Sequence, residues 1–168
     1  MIETHLLPDD GLVPNNPRLP LIVMAGVVGP DQRGAAAIIA RLGANGWRGA
    51  WVNGIYPFHH FHARAHEVLV VARGTARVQF GGASGPVVDL AAGDAVVIPA
   101  GVGHCRRAAS ADLSVVGAYP AGQEDWDLKR ATVADHARAL REIADVALPA
   151  RDPLDGDGGA VVKWWLAA

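Results

Sequence analysis

Histidines cluster in one part of this sequence. Five of the seven histidines fall between positions 59 and 104. His60 and His62 are two residues apart, and on a β-strand this spacing puts both side chains on one face, about 6.6 Å apart along the chain. Two imidazoles in that arrangement can converge on one metal ion, with nitrogen–metal bonds of about 2.0–2.1 Å. The spacing therefore indicates a metal site.

Two further candidate ligands lie along the chain. Glu67 follows a short turn at residues 63–65 and starts an apolar run, so a hairpin there would bring its carboxylate to the same ion. His104 is remote in sequence and can come from a neighbouring strand. His66 is an alternative to Glu67, because a bulge in the hairpin would exchange the faces of the two residues.

These candidates belong to two longer patterns. The first reads Gly54-x5-His60-x-His62-x4-Glu67-x6-Gly74, and the second reads Gly93-x5-Pro99-x-Gly101-x2-His104. Both resemble the two sequence motifs of the cupin superfamily at every fixed position. Ala108 departs from the family, which often has Asn there, and this affects the local turn more than the ligand set. The wider context at 53–62 and 66–69 resembles one bacterial branch, the YjlB-like single-domain cupins.

The resemblance implies a mainly β fold, a double-stranded β-helix (a cupin or RmlC-like jelly-roll barrel) with an added N-terminal helix and C-terminal helix. It also implies that His60, His62, Glu67 and His104 bind one divalent transition metal ion inside the barrel. Three imidazoles and one carboxylate leave about two positions of an octahedral ion open, and this ligand set suits iron, manganese, nickel or zinc. The choice among these metals stays open.

Side chains next to the predicted ligands have other expected roles. On regular strands, His59 and His66 would point to the face opposite that of His60, so a supporting or surface role is expected for both. Tyr56 and Phe58 share the alternation of His60 and are predicted to line a pocket or to belong to the core. Cys105 is expected to be a small buried residue, and Trp126 to be a packing residue.

The chain is interpreted as a single domain of 168 residues. The barrel core is predicted at about 47–119, where short β-prone runs alternate with turns. An N-terminal arm and helix occupy 1–46, with Asp31 as the predicted N-cap, and a C-terminal helical and tail region occupies 120–168. Thr132 is predicted to cap the C-terminal helix.

Composition excludes several classes of partner. The net charge is −2 and the sequence pI is near 6.4, which gives no electrostatic reason to expect nucleic acid or an anionic membrane as a partner. No stretch approaches the roughly 20 apolar residues of a membrane span. One cysteine fits a reducing compartment, so a cytoplasmic location is expected.

The resemblance implies a metal-binding protein of unassigned role that acts on or binds a small polar molecule inside the barrel. Oxygenase, isomerase and decarboxylase chemistry all occur in such sites, so the reaction type stays open. The alternative is a non-catalytic ligand-binding or sensing cupin in which the metal is structural. A homodimer is expected from the resemblance.

Overall fold

Two antiparallel β-sheets make up most of the structure, a computed structural model that describes residues 1–167. The strands are β1 (Ile2–His5), β2 (Leu21–Met24), β3 (Trp47–Asn53), β4 (His60–Phe61), β5 (Glu67–Arg73), β6 (Thr75–Phe80), β7 (Val87–Ala91), β8 (Ala95–Ile98), β9 (His104–Ala109), β10 (Ser114–Pro120) and β11 (Lys129–Arg130). The helices are α1 (Ala35–Ala44) and α2 (Val133–Ala144), with a 3-10 turn at Pro30–Gln32 and a C-terminal helical segment formed by Gly159–Val161 and Val162–Leu166.

The larger sheet has the strand order β1-β2-β8-β5-β10-β3, and the smaller sheet has the order β11-β4-β9-β6-β7. Chain neighbours such as β4 and β5 lie in different sheets, which is the crossing pattern of a jelly roll. The mainly β, double-stranded β-helix fold is therefore confirmed. Strands β1 and β2 of the N-terminal region extend the larger sheet.

The inner core lies between the two sheets. Leu69 and Val71 of β5 point into it, and Val78 and Phe80 of β6 face them from the smaller sheet. Because side chains alternate along a strand, Glu67 points to the same inner side as Leu69. A carboxylate therefore sits at the end of a row of apolar side chains inside the barrel.

An outer core covers the other face of the larger sheet. Val68 and Val70 point outwards and pack with Ile38 of α1 and with Trp165 near the C-terminus. The indole Nε1–H of Trp165 donates to the carbonyl of Pro20 at 2.9 Å, which ties the C-terminal segment to the start of β2. Both faces of β5 are therefore buried, and this explains its nearly continuous apolar sequence.

The two predicted helices are present, but the start of the first differs from the prediction. Asp31 lies in the separate 3-10 turn, and Gly34 precedes α1, so the prediction that Asp31 caps this helix is wrong. The extended backbone of Gly34, with ψ 135, separates that turn from α1, which begins at Ala35. In α2, the Thr132 hydroxyl accepts the backbone N–H of Asp135 at 3.2 Å, as predicted.

Among residues 1–167, no helix is long and apolar enough to cross a membrane.

Candidate functional site

Three of the predicted ligands meet inside the barrel. His62, Glu67 and His104 each offer one ligand atom, and these atoms lie within 4.8 Å of one another. All three side chains are buried. His104 begins β9, Glu67 begins β5, and His62 follows β4 directly, so both sheets contribute to the group.

Backbone carbonyls fix the orientation of the histidine rings. The carbonyl of Asp127 accepts a hydrogen bond from Nδ1 of His62, and the carbonyl of Val102 accepts one from Nδ1 of His104 at 3.2 Å. A carbonyl only accepts, so these bonds assign the proton of each neutral ring to Nδ1. The Nε2 atoms then present lone pairs, as a metal-ligating imidazole requires.

Glu67 has one engaged oxygen and one free oxygen. Its Oε1 accepts the hydroxyl of Tyr119 at 3.1 Å. Its Oε2 is buried and has no hydrogen-bond partner among the described residues. That oxygen lies 3.4 Å from Nε2 of His62 and 3.3 Å from Nε2 of His104. Three electron-rich atoms therefore face one another in a buried space.

This arrangement fits a cation. Unpaired buried acceptors cost free energy, and either a proton or a metal ion can relieve their mutual repulsion. Ligand atoms at about 2.1 Å from one ion, and at 90–110° to one another, lie roughly 3.0–3.4 Å apart. The distances from Oε2 of Glu67 to the nitrogens of His62 and His104 match that separation. The residues present therefore fit the divalent ion that the sequence predicts.

His60 lies beside the group and outside it. Its ring centroid is 4.0 Å from that of His104 and 6.2 Å from that of His62. Its Nδ1 donates to the carbonyl of Phe58 at 2.8 Å, so the neutral ring also presents a lone pair at Nε2. Burial, with the neighbouring His104, lowers the pKa of His60 to about 3. The ring is therefore neutral across the physiological range.

His62 and Glu67 each favour the charged form of the other. Burial by itself would lower the pKa of His62, but the Glu67 carboxylate and Asp127 together outweigh burial and raise it. Burial by itself would raise the pKa of Glu67, but His62 and His104 hold it well below its ordinary range. Glu67 is therefore an anion inside the barrel, and a metal ion would compete there with the proton of His62.

The segment that holds His62 is tied to α2. The carboxylate of Asp127 accepts the backbone N–H of Arg64 at 2.9 Å and lies 2.7 Å from Nζ of Lys129. The same Nζ lies 2.7 Å from Glu142 of α2. Because Asp127 also holds the His62 ring through its carbonyl, this chain of contacts links the helix to the site.

His66 points away from the cluster. Its Nδ1 accepts the backbone N–H of Ala100 at 2.9 Å, and its ring centroid lies 4.9 Å from that of Trp165 in the outer core. The alternation of β5 explains this, because Glu67 points inwards. The pairing of β5 with β8 runs from Glu67 to Val70 without a bulge. The structure thus brings Glu67, and not His66, into the group.

A cavity of about 420 Å³ opens from the cluster. Tyr56 lies in its wall, whereas Phe58 stacks behind Tyr56 at 4.9 Å and His59 lies outside the lining. Trp126 packs against Tyr119 and His62, as expected of a packing residue, and it also forms part of the cavity wall with 37% of its surface exposed. Its sequence neighbourhood gives no sign of this position, which depends on stacking against Tyr119 at 5.8 Å.

A second cavity, of about 580 Å³, lies between residues 6–18 and α2. None of the predicted ligands lines it.

Comparison with known proteins identifies the family of this chain. Residues 51–116 match the sequence model of the cupin domain. A relative that is 40% identical over 164 residues, 98% of this chain and 96% of that protein, shows that this chain belongs to the cupins. The relative is the uncharacterized protein YjlB of Bacillus subtilis (strain 168). The resemblance to YjlB-like cupins is thereby confirmed.

Solved structures overlap with the chain over about half its length. The DMSP lyase DddQ of Ruegeria pomeroyi DSS-3 is 24% identical with a TM-score of 0.39, covering 48% of this chain and 41% of that one. The acireductone dioxygenase of Bacillus anthracis, with a cadmium ion in its active centre, is 16% identical with a TM-score of 0.38, covering 53% and 60%. This chain thus spans less than two thirds of either protein.

Proposed function

We propose that this cupin binds one divalent transition metal ion through His60, His62, Glu67 and His104, and acts on a small polar molecule beside it. Iron, manganese, nickel and zinc all suit such ligands. The observation that carries the proposal is the free, buried Oε2 of Glu67, which faces two imidazole nitrogens at 3.3 and 3.4 Å. A site built only for packing would not bury an anion against two imidazole lone pairs.

The chain's own residues hold the ligands in place. The Tyr119 hydroxyl occupies Oε1 of Glu67 and leaves Oε2 for the ion. The carbonyls of Asp127 and Val102 keep Nε2 of His62 and His104 aimed at the same point. An ion bound there would supply Lewis-acid chemistry, or activation of water or O₂.

Binding or catalysis at the ion is favoured over a purely structural role. Four protein ligands leave about two positions of an octahedral ion, whereas structural sites are closed by protein ligands. The cavity that opens from the cluster would give a small molecule access to those positions. Oxygenase, isomerase and decarboxylase reactions are all compatible with this arrangement.

Water proton relaxation tests this proposal. The protein is stripped of metal, loaded with one equivalent of Mn²⁺ and compared with His60→Ala and with the control His59→Ala. We expect strong relaxation enhancement from exchangeable water in the wild type and the control. Weaker Mn²⁺ binding in His60→Ala would support the proposal that His60 is the fourth ligand. Tight Mn²⁺ binding without exchangeable water would contradict an open site and favour a structural ion.

The proposal includes a homodimer in the cytoplasm. Strand β3 is an edge of the larger sheet, and its Val52 is 49% exposed. An apolar edge strand is a common place for pairing between chains. The free, buried Cys105 fits a reducing compartment. Sedimentation equilibrium checks the dimer, and a concentration-independent monomer would contradict it.

A further inference from the structure

Arg106 lies on the cavity side of β9. Side chains alternate along a strand, so Arg106 shares the inner face with His104, about 6.6 Å farther along. Arg107 lies at a bulge in the pairing of β9 with β6, is exposed and is not part of the cavity lining. The backbone N–H of Arg106 donates to the carbonyl of Tyr56 at 3.0 Å, which fixes this part of β9 against the cavity wall. Arg106 itself lines the cavity.

The guanidinium charge of Arg106 has no ionic partner in the part of the chain that the structure describes. No carboxylate oxygen of residues 1–167 lies within 4.0 Å of its guanidinium, whereas exposed Arg77 pairs with Asp89 at 2.9 Å. Among the described residues that line the cavity, Glu67 is the only carboxylate; its Oε1 accepts from Tyr119, and its Oε2 faces His62 and His104. A half-buried guanidinium next to a metal site is therefore left free for an anion.

Aromatic rings form part of the remaining wall. Tyr56 stands beside His60, with ring centroids 5.2 Å apart, and Trp126 stands beside His62 at 5.2 Å. Tyr56 and Trp126 are 49% and 37% exposed, so both rings have free surface. Such rings bind flat apolar groups by stacking or edge contacts.

We propose that the cavity binds a small organic carboxylate whose carboxylate pairs with Arg106 and whose flat apolar body contacts Tyr56 and Trp126. The planar fork of a guanidinium matches a carboxylate through two parallel hydrogen bonds. A phosphate carries more charge and needs more donors, but Arg106 is the only arginine or lysine in the lining. This inference rests on the proposed function, because it names the class of molecule held beside the ion.

Calorimetric titration with matched probes tests the inference. Benzoate, phenylacetate and salicylate are titrated into the metal-loaded protein beside benzamide, phenylacetamide and phenyl phosphate. The variants are Arg106→Gln and the control Arg107→Gln, the next residue of the same strand, which is exposed and lies outside the cavity lining. We expect at least one carboxylate to bind more tightly than any amide or phenyl phosphate. We also expect its Kd to rise about tenfold or more in Arg106→Gln and less than about twofold in the control.

Several results would overturn the inference. They are equal binding of amide and carboxylate, tighter binding of phenyl phosphate, an unchanged Kd in Arg106→Gln, or no binding of any carboxylate to the metal-loaded protein. Metal content is measured in the same samples. Failure to take up metal would count against the proposed function, while dependence of carboxylate binding on Arg106 would still support the pairing.

Discussion

The hydroxyl of Tyr119 donates a hydrogen bond to Oε1 of Glu67 at 3.1 Å, across 52 residues of sequence. The same hydroxyl accepts the indole N–H of Trp51 at 2.8 Å. Burial and the Glu67 charge together raise the pKa of Tyr119 well above its ordinary value, so the phenol stays protonated. Tyr119 therefore fixes which oxygen of Glu67 remains free for a metal ion.

Removing that hydroxyl tests its role. In Tyr119→Phe, Oε1 of Glu67 and Nε1 of Trp51 both lose a partner. We expect the free energy of unfolding to fall by about 1–3 kcal/mol and the metal affinity to fall roughly tenfold or more. Chemical denaturation and competition with a metal indicator measure the two effects.

The control for this variant is Tyr56→Phe. Tyr56 is 49% exposed, and no described residue is hydrogen-bonded to its hydroxyl. Tyr119→Phe behaving like this control in both measurements would show that the bond to Glu67 is dispensable.

The wall of the cavity depends on a glycine. Gly117 of β10 lies opposite Trp51 of β3, and a Cβ at Gly117 would lie 2.1 Å from the indole. Gly117→Ala should therefore displace the ring that supports Tyr119. We expect a loss of about 1–3 kcal/mol in unfolding free energy, together with a change in tryptophan fluorescence.

Gly29→Ala provides the matched control for that change. Gly29 has φ −65, which any residue adopts, and a Cβ there meets no atom within 4 Å. We expect Gly29→Ala to leave both stability and fluorescence close to the wild type. Equal effects of the two substitutions would contradict the packing role of Gly117.

The buried His66 should make stability depend on pH. Burial lowers the pKa of His66 from 6.5 to about 4, although the carbonyl of Ala147 acts in the opposite direction. Protonation would also place a hydrogen on Nδ1, which accepts the N–H of Ala100. As the pH falls, His66 is therefore protonated in the unfolded chain at a higher pH than in the folded protein. The neutral His66 makes its full contribution to the free energy of unfolding above about pH 6.5. As the pH drops towards 4, that free energy falls by on the order of 3 kcal/mol.

His66→Asn isolates this effect, because the amide oxygen can still accept from Ala100 and does not titrate. Unfolding is compared between pH 7 and pH 4 in metal-depleted protein, so that loss of the ion does not contribute. The advantage of the wild type over His66→Asn should shrink across this interval. An advantage that stays constant from pH 7 to pH 4 would rule out His66 as the source.

Local sequence predicts much of the barrel and part of the site. Strands β5, β6 and β8 lie within the predicted barrel core at about 47–119, and each is an apolar run next to a turn. Strand β9 is indicated only by the expected position of His104, because its sequence His-Cys-Arg-Arg-Ala-Ala lacks a clear apolar alternation. Strands β4 and β11 have two residues each and are too short to leave a periodic signal.

The spacing of His60 and His62 identifies the site, but it does not predict the residues that hold the ligands in place. The contacts of Tyr119 with Glu67 and of Asp127 with His62 join segments more than 50 residues apart. Such contacts depend on how the two sheets pack, and no short motif encodes them. The choice between Glu67 and His66 likewise needed the regular pairing of β5.

Metal content tests the central claim most directly. The protein is purified without chelator or affinity nickel, and elemental analysis compares the wild type with His62→Ala and with the control His59→Ala. We expect about one equivalent of a divalent transition metal in the wild type and the control, and a loss of that equivalent in His62→Ala. Full metal content in His62→Ala, or a wild type that takes up no metal, would contradict the assignment.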